Sequence, residues 1–441
     1  MSQAQHPWRR LRVWMASGVA LSLGTSLWAQ APEPERLPPP VGAAAAPAAQ
    51  PPTLTLIDCL RLACERQPAL AAERSSVAAA HTQVRALQQL GAAAKVTNPD
   101  LPIRRQQACL GVEIAEARLK QAEQDLGYNV MRLYFTVQYA RSQKKIAEEI
   151  VESFGTYQKQ VSEAVKDGKG PKEWTSSTVD KLTVYLRMAE SKRIEAERGV
   201  ERAQGALKEL LGGGEDFPFL IPDEPLPEPK PKVMREEIIG LALSRRGEII
   251  QTSRGAEVFD LEVAAQGKTL LPGKVSTFAA GGDIHATPVP LGTTYGEYRP
   301  SAVGPEMPTM LAGSRCSRMD RARDFASRAS AVAQKTHNLI VLDAEDTYQR
   351  YLTARDQTAA LRDAAKSGAQ LAEDTRADFR GAQKVKIEDV LTNEVLSAQA
   401  RTQFNEALLN YVIALASLER VTAGGFCAGF AEAIAKPPEG K

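Results

Sequence analysis

The 441-residue sequence predicts a mainly α fold: two tandem repeats of long antiparallel coiled-coil helices. Composition is one reason. Aromatics are 6% and charged residues 24%, and Ala, Leu, Glu, Lys, Arg and Gln dominate outside the loops, the usage of long helices rather than of a β-rich core. A second reason is apolar spacing in threes and fours sustained over dozens of residues. The third is self-similarity between the two halves of the chain.

The elements follow in order. Arg9, Arg10 and Arg12 precede an apolar run that ends at Ala29-Gln30-Ala31, the order of a secretory signal peptide over 1–31. A membrane anchor is the alternative, but the run is short and broken by Gly and Ser. No cysteine stands near the cleavage point, which argues against a lipoprotein anchor. Residues 32–52 are Pro/Ala-rich and read as a disordered or extended leader.

Order begins at "LTLIDCLRLACERQPAL". Leu56, Cys59, Leu60, Ala63 and Cys64 recur at i, i+3 and i+4, a short amphipathic helix with Thr55 as N-cap before Asp58. Shifted by 179, Cys59, Leu60, Leu62, Ala63 and Arg66 fall on Ile238, Ile239, Leu241, Ala242 and Arg245. Pro68 falls on Gly247, and both copies resume a second helix. "AQGALKELLGGG" and "ALASLERVTAGG" close the two halves with glycines suited to left-handed caps. The proline-rich strap between them cannot be helical. The expected organisation is a first repeat at 53–212, a linker at 213–232, a second repeat at 233–425 and a tail at 426–441.

Each half then holds one very long helix and a return helix. In the first, Val112, Ala115, Leu119, Ala122, Leu126, Val130, Leu133, Val137 and Ala140 form a heptad with one four-residue stutter, which relaxes the supercoil toward straight staves. From 108 to 166 this helix would be about 90 Å long. "DGKGP" ends it, and a return helix follows. The second half repeats this with 316–380, a break near "RGAQKVK" and a return over 387–422. Stripes this narrow on helices this long must be buried against one another and against other subunits.

Little chemistry is written here. The net charge of +2 argues against nucleic acid or an acidic substrate as partner. "GKTLLPGKVS" puts Pro272 where a phosphate loop needs glycine, so no nucleotide cofactor is expected. No G-x-S-x-G and no carboxylate pair with a partner histidine is present, and His6, His81, His285 and His337 are scattered. No metal, cofactor or catalytic site is expected. Cys59 and Cys64 point in different directions on one helix. Cys109 and Cys316 each open a long helix, so a bridge between them is conceivable, although the reading of the cysteines is as small buried apolar residues.

The segments "LTLIDCLRLACERQPALAAERSSVAAA" and "RGAQKVKIEDVLTNEVLSAQARTQFNEALLNYVIALASLERVTAG" resemble the repeat opening and the second turn with closing helix of the TolC-like outer-membrane efflux family. Asp389-Val390-Leu391 matches the family's turn-to-helix signature, and Tyr411 and Leu418 fall in its terminal pattern. The resemblance covers most of 54–425. It implies a homotrimer whose helices form a hollow α-barrel reaching from the outer membrane across the periplasm. A twelve-stranded β-barrel would cross the membrane, and an adaptor protein and inner-membrane pump would meet the other end. The implied function is a passive exit duct for efflux or type I secretion.

The β portion departs from that pattern. A membrane strand needs about 9–11 residues. Residues 268–314 could supply one hairpin, with Val275, Phe278, Ile284 and Val289 as candidate membrane-facing positions, although six prolines puncture the stretch. Only 91–108 separate the first repeat's helices, too few for two strands and a turn. There Pro99 and Pro102 turn the chain, and Arg104 and Arg105 suit a polar or headgroup-facing end. The β-barrel is therefore expected to be reduced.

The resemblance also implies an aperture at the periplasmic tips. Asp389 falls on an acidic aperture position, Phe379 lies one residue out of step with an aromatic one, and Lys384 or Lys386 would be a basic partner. Gly168, Gly170 and Gly381 mark the turns where an adaptor would dock. Solvated turn charges are the alternative for these groups. The alternative for the whole chain is a periplasmic coiled-coil scaffold that kept the helices and lost the pore.

Overall fold

The computed structural model describes residues 51–168, 171, 173–214, 217–269, 313–382 and 385–430. The expected signal peptide, most of the leader and the candidate hairpin positions Val275, Phe278, Ile284 and Val289 lie outside them. The described residues form α1 (Leu56–Arg66), α2 (Pro68–Gln89), α3 (Ala92–Thr97), α4 (Leu101–Lys166), α5 (Ser176–Leu210), α6 (Arg235–Arg245), α7 (Gly247–Lys268), α8 (Arg315–Ala382) and α9 (Ile387–Val421). Among them the one β contact is a parallel bridge between Thr53 and Leu220.

The element lengths are written twice. α1 and α6 have 11 residues each, α2 and α7 have 22, and α5 and α9 have 35. The long helices α4 and α8 have 66 and 68. At about 1.5 Å per residue each is about 100 Å long. Burial repeats too: Cys59 and Ala63 are fully buried, as are Ile238 and Ala242 at the shifted positions.

Local signals account for the boundaries. Thr55 and Asp58 form a reciprocal capping box at α1, the Asp58 backbone N–H donating to Thr55 Oγ1 at 3.3 Å. Pro68 occupies the first turn of α2, where a missing N–H costs nothing. Gly212, at φ 63°, ends α5 in a Schellman-type cap, with the Gly213 N–H on the Lys208 carbonyl at 3.1 Å. At the equivalent end of α9 the left-handed region holds both Ala423 (φ 47°) and Gly424 (φ 71°).

Packing lays shorter helices along each long one. α2 runs along the first part of α4, where Arg118 pairs with Glu73 at 2.9 Å, and α5 runs along its second part, where Lys144 reaches Glu197. α7 and α9 line α8 in the same way, through Arg318 to Gln266 and Thr358 to the Ala407 carbonyl. α4 also packs on α7 and α9, which joins the two repeats. At Gly247 the backbone of α7 comes so close to the Ala117 carbonyl of α4 that a Cβ would have no room.

The strap crosses these helices midway. Arg141 donates to the Ile221 carbonyl at 2.6 Å, and the Tyr411 hydroxyl donates to the Pro229 carbonyl at 2.5 Å. Beneath it lies the main core, where Tyr128, Tyr134, Phe135, Leu207, Ile238 and Val412 are buried. Phe426 and Phe430, at the start of the expected tail, belong to that core, with Phe430 5.2 Å from Phe135.

Three expectations need correction. α4 begins at Leu101 rather than 108, because Pro102 fits its first turn instead of bending the chain away. Its buried surface is also wider than one stripe: Tyr128, Met131, Tyr134 and Gln138 are buried beside the heptad positions, because α4 is flanked on several sides. All five cysteines are free, and Cys109, Cys316 and Cys427 are exposed rather than buried. α7 packs against both α4 and α8, the helices that carry Cys109 and Cys316.

Candidate functional site

The candidate groups lie at the ends of the long helices. At the turn end, α4 supplies Phe154, Tyr157 and Val161, α5 supplies Leu182 and Ala189, and α9 supplies Ile387, Val390 and Leu391 to one buried cluster. Fully burying a side chain such as Phe154 stabilises by about 2–3 kcal/mol. Phe379, near the end of α8, meets Tyr157 edge-on and stacks on Trp174, with ring centroids 6.1 Å apart in both cases. The two turns are therefore joined by aromatic contacts. Phe379 is half-buried in that contact.

Beneath the rings, Glu394 is 1% exposed. It takes both arms of the Arg376 guanidinium, one at 2.6 Å, and accepts weakly from the Tyr157 hydroxyl at 3.4 Å. The hydrogen bonds to Glu394 raise the Arg376 pKa further, and burial followed by the nearby Glu394 charge raises that of Tyr157. Both groups keep their protons across ordinary pH. Sequence reading missed Glu394. Its signal was register: it continues the Ile387, Val390, Leu391 spacing and so stands at a core position.

The candidate aperture groups are placed as follows. Lys386 precedes α9, Asp389 stands in its first turn, and both are exposed. Glu388 and Asp389 suit a helix N-terminus, and Glu388 reaches Lys181 of α5 at 3.6 Å. Gly168 turns the chain after α4 at φ 64°, while Gly381 lies in the last turn of α8. Lys384 and Gly170 lie outside the described residues.

At the opposite end, the short first connector folds as α3 and a tight turn. Arg104 turns inward. It pairs with Asp100 at 3.1 Å and grips both carboxylate oxygens of the fully buried Glu262 on α7. Gln107 donates to Glu262 and to the Val258 carbonyl, each at 3.0 Å, and Gln266 donates to Glu262 at 2.7 Å. Arg318 of α8 completes the network on Gln266 and the Gly313 and Thr269 carbonyls. Arg105 holds the carbonyls of Leu87 and Leu90 at the end of α2. Both arginines are inward ties, because α7 and α2 offer them acceptors that the local sequence does not display.

With this geometry in view, solved structures give the comparison. A membrane protein from Pseudomonas aeruginosa superposes with a TM-score of 0.65 at 16% identity, over 87% of this chain and 99% of that one. The fold is the TolC-like one. The outer-membrane channel OprN superposes at 0.63 with 14% identity, over 84% of this chain and 90% of its own. The open state of the Neisseria gonorrhoeae MtrE outer-membrane channel superposes at 0.62 with 15% identity, over 84% and 89%. No family model matches the chain, and no curated protein matches it at the level of sequence. The TolC-like helical architecture is thus present, with no strand among the described residues.

Proposed function

We propose that the protein is a passive exit duct of the cell envelope. It would act as a homotrimer, held in the outer membrane with most of the chain in the periplasm. One observation carries this reading: the TolC-like architecture extends over 87% of the chain, with long helices of 66 and 68 residues. α2 and α5 pack on α4 at one side of the helix row, and α8 packs on α7 and α9 at the other. Val184, Met188 and Ile194 stand more than half exposed along α5. An apolar edge of this kind fits the free edge of another copy, and repetition by head-to-tail contacts closes a ring. Asp389, Phe379, Lys384 and Lys386 are the proposed aperture groups. Gly168, Gly170 and Gly381 mark the proposed docking turns for a periplasmic adaptor and its inner-membrane pump. The reading requires no catalytic group.

A scaffold without a pore is the second reading. The helical first connector favours it, because α3 and the Arg104 network occupy the place of one membrane hairpin. Envelope fractionation with planar-bilayer recording separates the two. Trimers in the outer-membrane fraction that carry stepwise ion currents support the duct; soluble, non-conducting protein supports the scaffold.

A further inference from the structure

Midway along the molecule, away from both ends, lies a recess at the junction of α6 with α7. It is lined by Lys120 and Asp125 of α4, Arg245 and Arg246 before α7, Glu248 in α7 and Arg420 in α9. The space open to the centre of a water-sized occupant is about 20 Å³. That suffices for one small ion or one water. Four of these six side chains are cationic.

The two buried arginines are served unequally. Arg246, 4% exposed, is held by Glu248 and Asp343. Arg420, 8% exposed, lies over the Tyr128 ring at 5.5 Å; its terminal nitrogens sit 3.8 Å from Asp125 and 3.9 Å from Asp343, beyond hydrogen-bond range, and its Nε is enclosed without a hydrogen-bond partner. A buried guanidinium left so poorly bonded is costly unless something else accepts from it. Asp343 is shared with Arg246, so counting it still leaves the cations in excess.

The backbone adds to the positive field. α7 starts at Gly247 without a side-chain cap, and Gly247 lines the recess, so the positive end of this helix faces it. The arrangement is also not demanded by the fold. The equivalent positions in the first repeat are Gln67, Ala69 and Glu209 for Arg246, Glu248 and Arg420. There Arg66, the counterpart of Arg245, lies over the Phe217 ring at 5.4 Å instead.

We propose that this recess binds a small monovalent anion of chloride size, which accepts from the terminal nitrogens of Arg420 with the α7 N-terminus and Lys120 around it. Bromide is the probe, because it matches chloride in charge and scatters anomalously. The full-length protein would be melted in rising bromide, with fluoride holding ionic strength constant. A saturable rise in Tm is expected for the wild type. Its half-saturation point should move up about tenfold in Arg420→Lys, which keeps the charge and loses the paired N–H donors of the guanidinium. Lys120→Gln, on the exposed rim, should weaken it about threefold while leaving the buried pairs intact. Crystals grown in bromide should show an anomalous peak in the recess beside the Arg420 guanidinium. The same bromide dependence in the wild type and both variants would overturn the proposal, as would a water in place of the peak. If Arg420→Lys does not fold, the rim variant and the crystals decide. The result is independent of conductance, so it can fail while the duct reading stands.

Discussion

Ala423 occupies the left-handed region at the C-cap of α9, where α5 has Gly212. An L side chain there costs about 1–2 kcal/mol. Ala423→Gly is accordingly expected to stabilise the protein by about 1 kcal/mol, read by urea denaturation. Three residues earlier, Arg420 leads into that cap, and its neighbour Glu419 accepts from the Ala428 N–H at 2.6 Å. Burial raises the Glu419 pKa above its ordinary 4.5, against a smaller lowering by that hydrogen bond. A carboxyl whose folded pKa is raised adds stability below its unfolded pKa and loses it as pH rises through the folded value. Glu419→Gln, which keeps an acceptor for Ala428, should therefore melt above the wild type at pH 7. The difference should vanish near pH 4; a gap that widens on acidification would refute this assignment.

Element boundaries were largely legible in the residues. Thr55 with Asp58, Pro68 and Gly212 each act within a few residues of themselves, so the helix starts and stops they dictate could be read locally. Contacts between elements could not. Glu262 meets Arg104 from 158 positions away, and nothing beside either residue in the sequence announces the pair. The same holds for Gly247, read from sequence as the counterpart of Pro68. Its role is the close approach of α7 to α4. Gly247→Ala should force these helices apart and cost about 1–3 kcal/mol, with faster hydrogen exchange across the start of α7. At the turn end, Glu394→Ala removes the acceptor of Arg376 and should cost about 2 kcal/mol. Proteolysis at the α8–α9 turn should accelerate before global unfolding does.

For the molecule as a whole, the helices leave edges that a single copy does not cover. Val184 and Met188 are the most exposed large apolar side chains of α5. If copies join through that edge, Val184→Glu with Met188→Glu should convert trimers to monomers with little loss of helicity, measured by light scattering and circular dichroism. Trimers that survive the double substitution would place the interface elsewhere. Of the groups at the turn end, Asp389 could be singled out through the Asp-Val-Leu resemblance, whereas the Glu394–Arg376–Tyr157 cluster needed three helices to be assembled.

Periodicity, caps and internal duplication specified eight of the nine helices among the described residues, all but α3, together with their pairing into two repeats and the shortness of the first connector. Those properties are local, or repeat at a fixed interval, so a linear reading reaches them. Tertiary structure decided what each charged residue does. Arg104 and Arg105 suited a polar end by sequence, yet they bind Glu262 and the end of α2. Desolvation is the reason: once α7 and α2 close over α4, a guanidinium is stable there only where acceptors from distant segments meet it. The path of the chain alone brings those segments together.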